Sequence, residues 1–122
     1  MSSPRFVPKS YALEPKKFGS AETIGWKPSV RMSATELDNL ASAQIQHSVA
    51  VNVRRAILRA GLTIEDAAAE NNIDYGRLGR LLRGDIIMRL EDVAWADRAF
   101  GLGILPSLVP AGTHGANRPS SS

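Results

Sequence analysis

The chain has 122 residues, 43% apolar and 22% charged, enough material for one compact core with ends left over. Its formal net charge is +3 and it contains no cysteine, which excludes a disulfide framework and any thiolate metal site. No apolar run approaches the roughly 20 residues of a bilayer-spanning helix, and the start lacks the apolar stretch of a secretion signal. A soluble cytoplasmic protein is therefore expected.

Residues 1–32 differ in composition from the rest of the chain. Up to Arg31 they hold Pro4, Pro8, Pro15 and Pro28, the four lysines Lys9, Lys16, Lys17 and Lys27, and Arg5 and Arg31, set against Glu14 and Glu22 alone. Prolines at this spacing block a helix, and no alternation is long enough for a strand, so an extended basic N-terminal arm is expected. Such an arm either lies along a phosphate backbone or is a disordered leader, and Phe18, Ile24 and Trp26 offer a third possibility, docking on the domain.

Ser33 with Glu36 forms a capping box that opens a first helix. Leu37, Ala41, Ile45, Val49, Val53, Ile57 and Ala60 then recur at spacings of three or four along one apolar stripe. An unbroken helix from 34 to 60 would be about 40 Å long at about 1.5 Å per residue. Gln44, Gln46, His47 and Ser48 weaken the stripe at its centre, so a break near 46–48 is expected, the alternative being a first half that projects to meet a partner. Arg54, Arg55 and Arg59 lie on the polar side of the later half.

The stretch from Gly61 to Gly84 reads as helix, turn, helix. Thr63 caps the first of these helices through the amide of Asp66, Asp74 caps the second, and Gly84 ends it in a left-handed conformation. On the second helix Leu78, Leu81 and Leu82 form the buried stripe. Opposite them fall Gly76, Gly79, Arg80 and Arg83, with Tyr75 and Arg77 on the flanks, a basic face with little bulk near its start. A face of this kind suits close approach to a major groove, where arginine pairs with guanine; a plain solvated arginine face is the other reading. A loop over 85–89 leads to a helix from Leu90 to Phe100 that Gly101 stops. Trp95 on it either fills the gap left by Ala67 and Ala68 or lies in a dimer contact. Leu102, Ile104, Leu105, Leu108 and Val109 make a last apolar segment, and from Pro110 a disordered C-terminal tail is expected.

Catalysis finds little to work with. His47 and His114 are far apart in sequence, so neither a metal cluster nor a Ser-His-Asp arrangement can be built. Glu65 with Asp66, and Glu91 with Asp92, are neighbours at helix starts, where capping explains them better than acid-base chemistry. A non-enzymatic protein without metal or cofactor is expected.

The helix-turn-helix stretch resembles the phage-repressor type of DNA-binding domain, the Cro-like or XRE family. Gly61, Leu62, Thr63, Glu65, Ala68, Ile73, Leu78, Arg80, Arg83 and Gly84 stand where that pattern wants them or close equivalents, and Leu90, Glu91, Ala99, Phe100 and Gly101 continue it. The resemblance implies an all-α, compact four- to five-helix bundle of the lambda-repressor-like type over 33–109, binding double-stranded DNA as a homodimer. Tyr75, Arg77 and Arg80 inherit base-reading positions and Thr63 a phosphate-side position; Arg83 and Arg89 join them on charge and placement. Ile64 stands where the pattern usually has a Gln that braces the phosphate backbone and the recognition helix, so that brace is missing; Ala67 and Asn71 stand where it usually has Leu, so thinner packing between the second helix and its neighbours is expected.

From Asn52 to Gly101 eight arginines meet eight acidic residues, so DNA binding has to rest on segregation of charge and on the basic arm. The function expected is a dimeric, sequence-specific transcriptional repressor. Its rival is a protein-interaction module on the same scaffold, engaging a partner through the first helix or the apolar segment 102–109.

Overall fold

A computed structural model describes residues 6–109. Five helices follow in order: α1 (Ala34–Arg59), α2 (Ile64–Glu70), α3 (Tyr75–Arg83), α4 (Leu90–Phe100) and α5 (Ile104–Leu108). Two 3₁₀ turns, Pro8–Tyr11 and Pro15–Lys17, precede them, and the described residues contain no strand beyond an isolated antiparallel bridge between Ala12 and Trp26. The all-α expectation therefore holds. The tail expected from Pro110, His114 within it, and Pro4 and Arg5 of the arm lie outside the described residues.

Local chemistry sets the helix ends. Ser33 Oγ accepts from the Glu36 amide at 3.2 Å while the Glu36 carboxylate accepts from the Ser33 amide at 2.8 Å. Thr63 and Asp66 repeat this reciprocal pair on α2, and the Asp74 carboxylate accepts from the Arg77 amide at 2.8 Å at the start of α3. Gly84, at φ 75°, and Gly101, at φ 62°, end α3 and α4 in the left-handed region.

α1 runs unbroken through 26 residues, and the expected break near 46–48 is absent. Of the four polar residues that suggested it, Gln44 and Ser48 are exposed, while Gln46 and His47 are buried, each only 4% exposed. Gln46 Nε2 donates to the carbonyls of Leu81 at 2.9 Å and Ile86 at 3.0 Å, and its Oε1 accepts from the Met88 amide at 2.9 Å. His47 Nδ1 accepts from the Gly19 amide at 2.8 Å. Both side chains thus satisfy backbone groups elsewhere in the chain, and a polar pair mid-helix marks a junction here.

The extended arm is also corrected. Residues 6–27 fold back on α1 and the end of α3. Leu13 donates to the Gly25 carbonyl and Lys27 to the Tyr11 carbonyl, closing a loop whose inward side chain is Phe18, 2% exposed. Phe18, Trp26 and His47 meet edge to face, with ring centroids 5.4–6.2 Å apart. The Lys9 amide donates to the Gly84 carbonyl at 3.1 Å. A side chain at Gly19 (φ 76°) would collide with the Leu82 carbonyl, and one at Gly84 would lie 2.7 Å from the Phe18 ring. The prolines that exclude a regular helix set 3₁₀ turns instead. Of the three possibilities for this segment, docking is the one observed.

Docking also redirects the faces of α1. Leu40, Ala43 and Ala50 are buried, whereas Leu37 and Ile45 of the expected stripe are 44% and 61% exposed. Further along, Val49, Val53 and Ile57 enter the main core with Ala67, Ala68, Leu78, Leu82 and Ala96. Trp95 and Phe100 flank that core in edge-to-face contact, so the tryptophan serves packing within the chain. A surface cleft of about 290 Å³ lies beside Leu62, Asn71 and Phe100, while Ala67 is fully buried in the main core.

Replacing Phe18 by Ala is expected to cost about 3–5 kcal/mol, the usual range for a fully buried aromatic side chain. Urea unfolding would measure it, and a loss below about 1 kcal/mol would show that the folded arm adds little to stability.

Candidate nucleic-acid interface

The candidate site is built on α3, which is short and held from both sides. Leu78, Leu81 and Leu82 are each 1% exposed and fix the helix against α1 and α2. Asp74 fixes its start, and Gln46 and Lys9 reach the backbone around its end. The remaining face carries Tyr75, 55% exposed, with Gly76, Arg80 and Arg83.

Both long side chains on this face lean back toward the helix start, as helical side chains do. A side chain at Gly76 would lie 3.3 Å from Arg80 Nη1, and one at Gly79 would lie 2.9 Å from Arg83 Nη1. The two glycines are therefore seats for the guanidinium groups one turn later, and Gly79 is buried beneath Arg83. The bare patch expected near the start of this helix is thus covered by arginine.

The candidate residues separate by what they already hold. Arg77 makes a two-pronged pair with Asp92 of α4, at 2.9 and 3.1 Å. The Asp92 side chain is 12% exposed, and its second oxygen also accepts from the Arg89 amide at 2.9 Å. Burial pushes the Asp92 carboxyl up, yet the hydrogen bonds from Arg77 and the Arg89 amide, with the two guanidinium charges, outweigh it and leave the group below its ordinary value. The hydrogen bond to Asp92 in turn raises Arg77 above its usual value. Arg83 Nε donates to Asp85 at 3.0 Å, and Lys9 pairs with the same carboxylate. The bond from Lys9, and then that from Arg83, draws the Asp85 carboxyl down despite its partial burial.

Arg80 is exposed and has no carboxylate partner among the described residues, and the Arg89 side chain is likewise exposed and unpaired among them. Thr63 is occupied in its cap at the start of α2. The structure therefore brings Tyr75, Arg80 and Arg83 onto one face, ties Arg77 to the flank at α4, and leaves Thr63 and Arg89 at neighbouring helix starts. Nothing in the sequence marks Asp92 as the partner of Arg77, whereas Asp85 lies only two residues from Arg83. No local rule links residues 15 apart, and a carboxylate in the first turn of α4 reads simply as a capping group.

The described residues contain no group of three or more His, Asp or Glu side chains able to hold a metal, and no helix among them is long and apolar enough to cross a membrane. Comparisons with protein-family models, curated proteins and solved structures return no match to this chain.

Removing either Arg77 or Asp92 is expected to lower stability, with a coupling of about 1 kcal/mol in a double-mutant cycle, since Arg77 is 35% exposed and water screens the pair. The Asp92 carboxyl lies below its unfolded value, so its contribution is full above the ordinary carboxylate range and disappears as pH falls through the folded value. Thermal melts of the wild type and Asp92→Asn should differ at pH 7 and converge only below the lowered folded value of Asp92, under the ordinary carboxylate range near about 4.

Proposed function

We propose that the chain is a lambda-repressor-like helix-turn-helix regulator that binds double-stranded DNA in the cytoplasm, laying α3 in the major groove. The observation that carries this is Arg80, an exposed arginine on α3 with no carboxylate partner among the described residues, seated over Gly76 beside the exposed Tyr75. Arginine in this position makes paired hydrogen bonds to guanine, and a tyrosine at the helix start packs on a thymine methyl or reaches a phosphate. Arg83, Thr63 and Arg89 are placed for the backbone, where contacts position the protein without reading sequence. Arg77, held by Asp92, sets the angle between α3 and α4 and reaches DNA only by exchanging its partner.

Dimerisation is part of the proposal. Ala41 and Ile45 of α1, Leu90 and Val93 of α4, and Ile104 and Leu108 of α5 line an open apolar groove of about 730 Å³. An open groove lined by apolar side chains suits contact with another protein. With a second copy there, two α3 helices would enter successive major grooves about 34 Å apart on a two-fold site. Transcription would then be repressed by occupancy, without cofactor or chemistry.

The same groove favours a second reading, a protein-interaction module that binds a different protein and no DNA. Selection of bound duplexes from a random pool separates the two. A palindromic motif is expected for the wild type, and Arg80→Ala should relax preference at one position, at about 1–3 kcal/mol per lost bidentate contact. No enriched motif, or a profile unchanged by Arg80→Ala, would overturn the groove assignment. Sedimentation should find a dimer that Ile45→Glu dissociates; a wild-type monomer on its operator would remove the two-fold site.

A further inference from the structure

Where the folded arm meets α1 and α3, a recess of about 310 Å³ opens among Lys9, Lys16, Phe18, Ser20, Arg54 and Arg83. Four of these are cations from three parts of the chain. Among the described residues the one carboxylate ion-paired to any of them is Asp85, shared between Lys9 and Arg83. Arg54 makes no ion pair, and its Nε is buried without a hydrogen-bond partner among the described residues. An arginine drawn half out of water beside another arginine is unfavourable, and Arg54 accordingly holds its proton less firmly, through burial first and the Arg83 charge second.

A concave cluster with surplus positive charge and an orphaned donor is completed by an anion rich in acceptor oxygens. Phosphate meets this need: its oxygens can accept from the Arg54 fork, from Lys16 and from Arg83 at once. Arg83 belongs both to this recess and to the outward face of α3, one turn from Arg80, so an occupant would lie beside whatever α3 binds. We infer that the recess formed by Lys9, Lys16, Arg54 and Arg83 is a phosphate-binding site, filled in the DNA complex by a backbone phosphate next to the groove that α3 enters. Its identity as a phosphate site stands on the recess alone; the source of the phosphate rests on the proposed function. The folded arm then contributes to binding as one wall of a built pocket.

Two titrations of the full chain test this. In the first, inorganic phosphate is added at constant ionic strength while the Arg54 Nε–Hε and Ser20 amide resonances are followed by NMR. A saturable shift is expected, weakened in Lys16→Gln, whose side chain is exposed and unbonded among the described residues, so that folding is kept; Arg54→Gln should abolish it. Equal shifts from chloride, or a phosphate response indifferent to Lys16→Gln, would overturn the site. In the second, duplex DNA is added. Displacement of inorganic phosphate, with the salt dependence of DNA binding in Lys16→Gln reduced by about 0.9 in log–log slope for every duplex, would assign the site to the DNA backbone. Phosphate binding that persists on saturated duplex, or on a chain that binds no duplex, would overturn that assignment and make the occupant a free phosphorylated ligand.

Discussion

The fold depends on two adjacent polar side chains in the middle of α1. Gln46 faces one way and holds the end of α3 and the loop to α4 with three hydrogen bonds; His47 faces another and holds the arm through the Gly19 amide. Ile86 and Met88 lie in irregular chain, where a carbonyl and an amide have no ladder to join, and a glutamine offers the acceptor and the donors they lack. Because both side chains are buried, losing either would leave backbone groups unpaired away from water, at about 1–3 kcal/mol for each.

The consequence for the candidate site is rigidity at both ends of α3. Nine residues would make a marginal helix alone, and this one is stabilised by its aspartate cap, its leucine stripe, the Gln46 bond to Leu81 and the arm against Gly84. On this rigid helix the charges are divided by task. Arg77 joins α3 to α4, Arg83 joins α3 to Asp85 at the rim of the arm, and Arg80 alone on the helix has no carboxylate partner among the described residues. A domain with no surplus of positive charge over 52–101 can still offer a basic face, because its five aspartates are taken up at caps and in pairs.

α1 also separates two surfaces. Its Leu40 and Ala43 side is buried, and its Ala41 and Ile45 side is left facing α4 and α5 across the apolar groove. Asp97 shapes that groove by accepting from the Ile104 and Leu105 amides, which sets α5 against α4, and these bonds hold its carboxyl below the ordinary value. One helix thereby presents an exposed apolar face on one side and carries, on another, Arg54 at the wall of the basic recess.

Much of this was written in short-range chemistry. Ser33, Thr63, Asp74, Gly84 and Gly101 mark helix ends because a cap or a left-handed residue acts within three or four positions, and the leucines of α3 mark its buried side because helical period alone decides it. The all-α class and the candidate arginines follow from the same local rules. Tertiary structure alone decided the rest. Gln46 and His47 look like a break until the backbone groups they satisfy, 28 to 42 residues away, are brought alongside. The proline-containing arm looks extended until Phe18 finds its place under Gly84, and Arg77 looks free until Asp92 arrives on another helix. Each of these depends on a partner distant in sequence, and neither periodicity nor composition carries the position of such a partner.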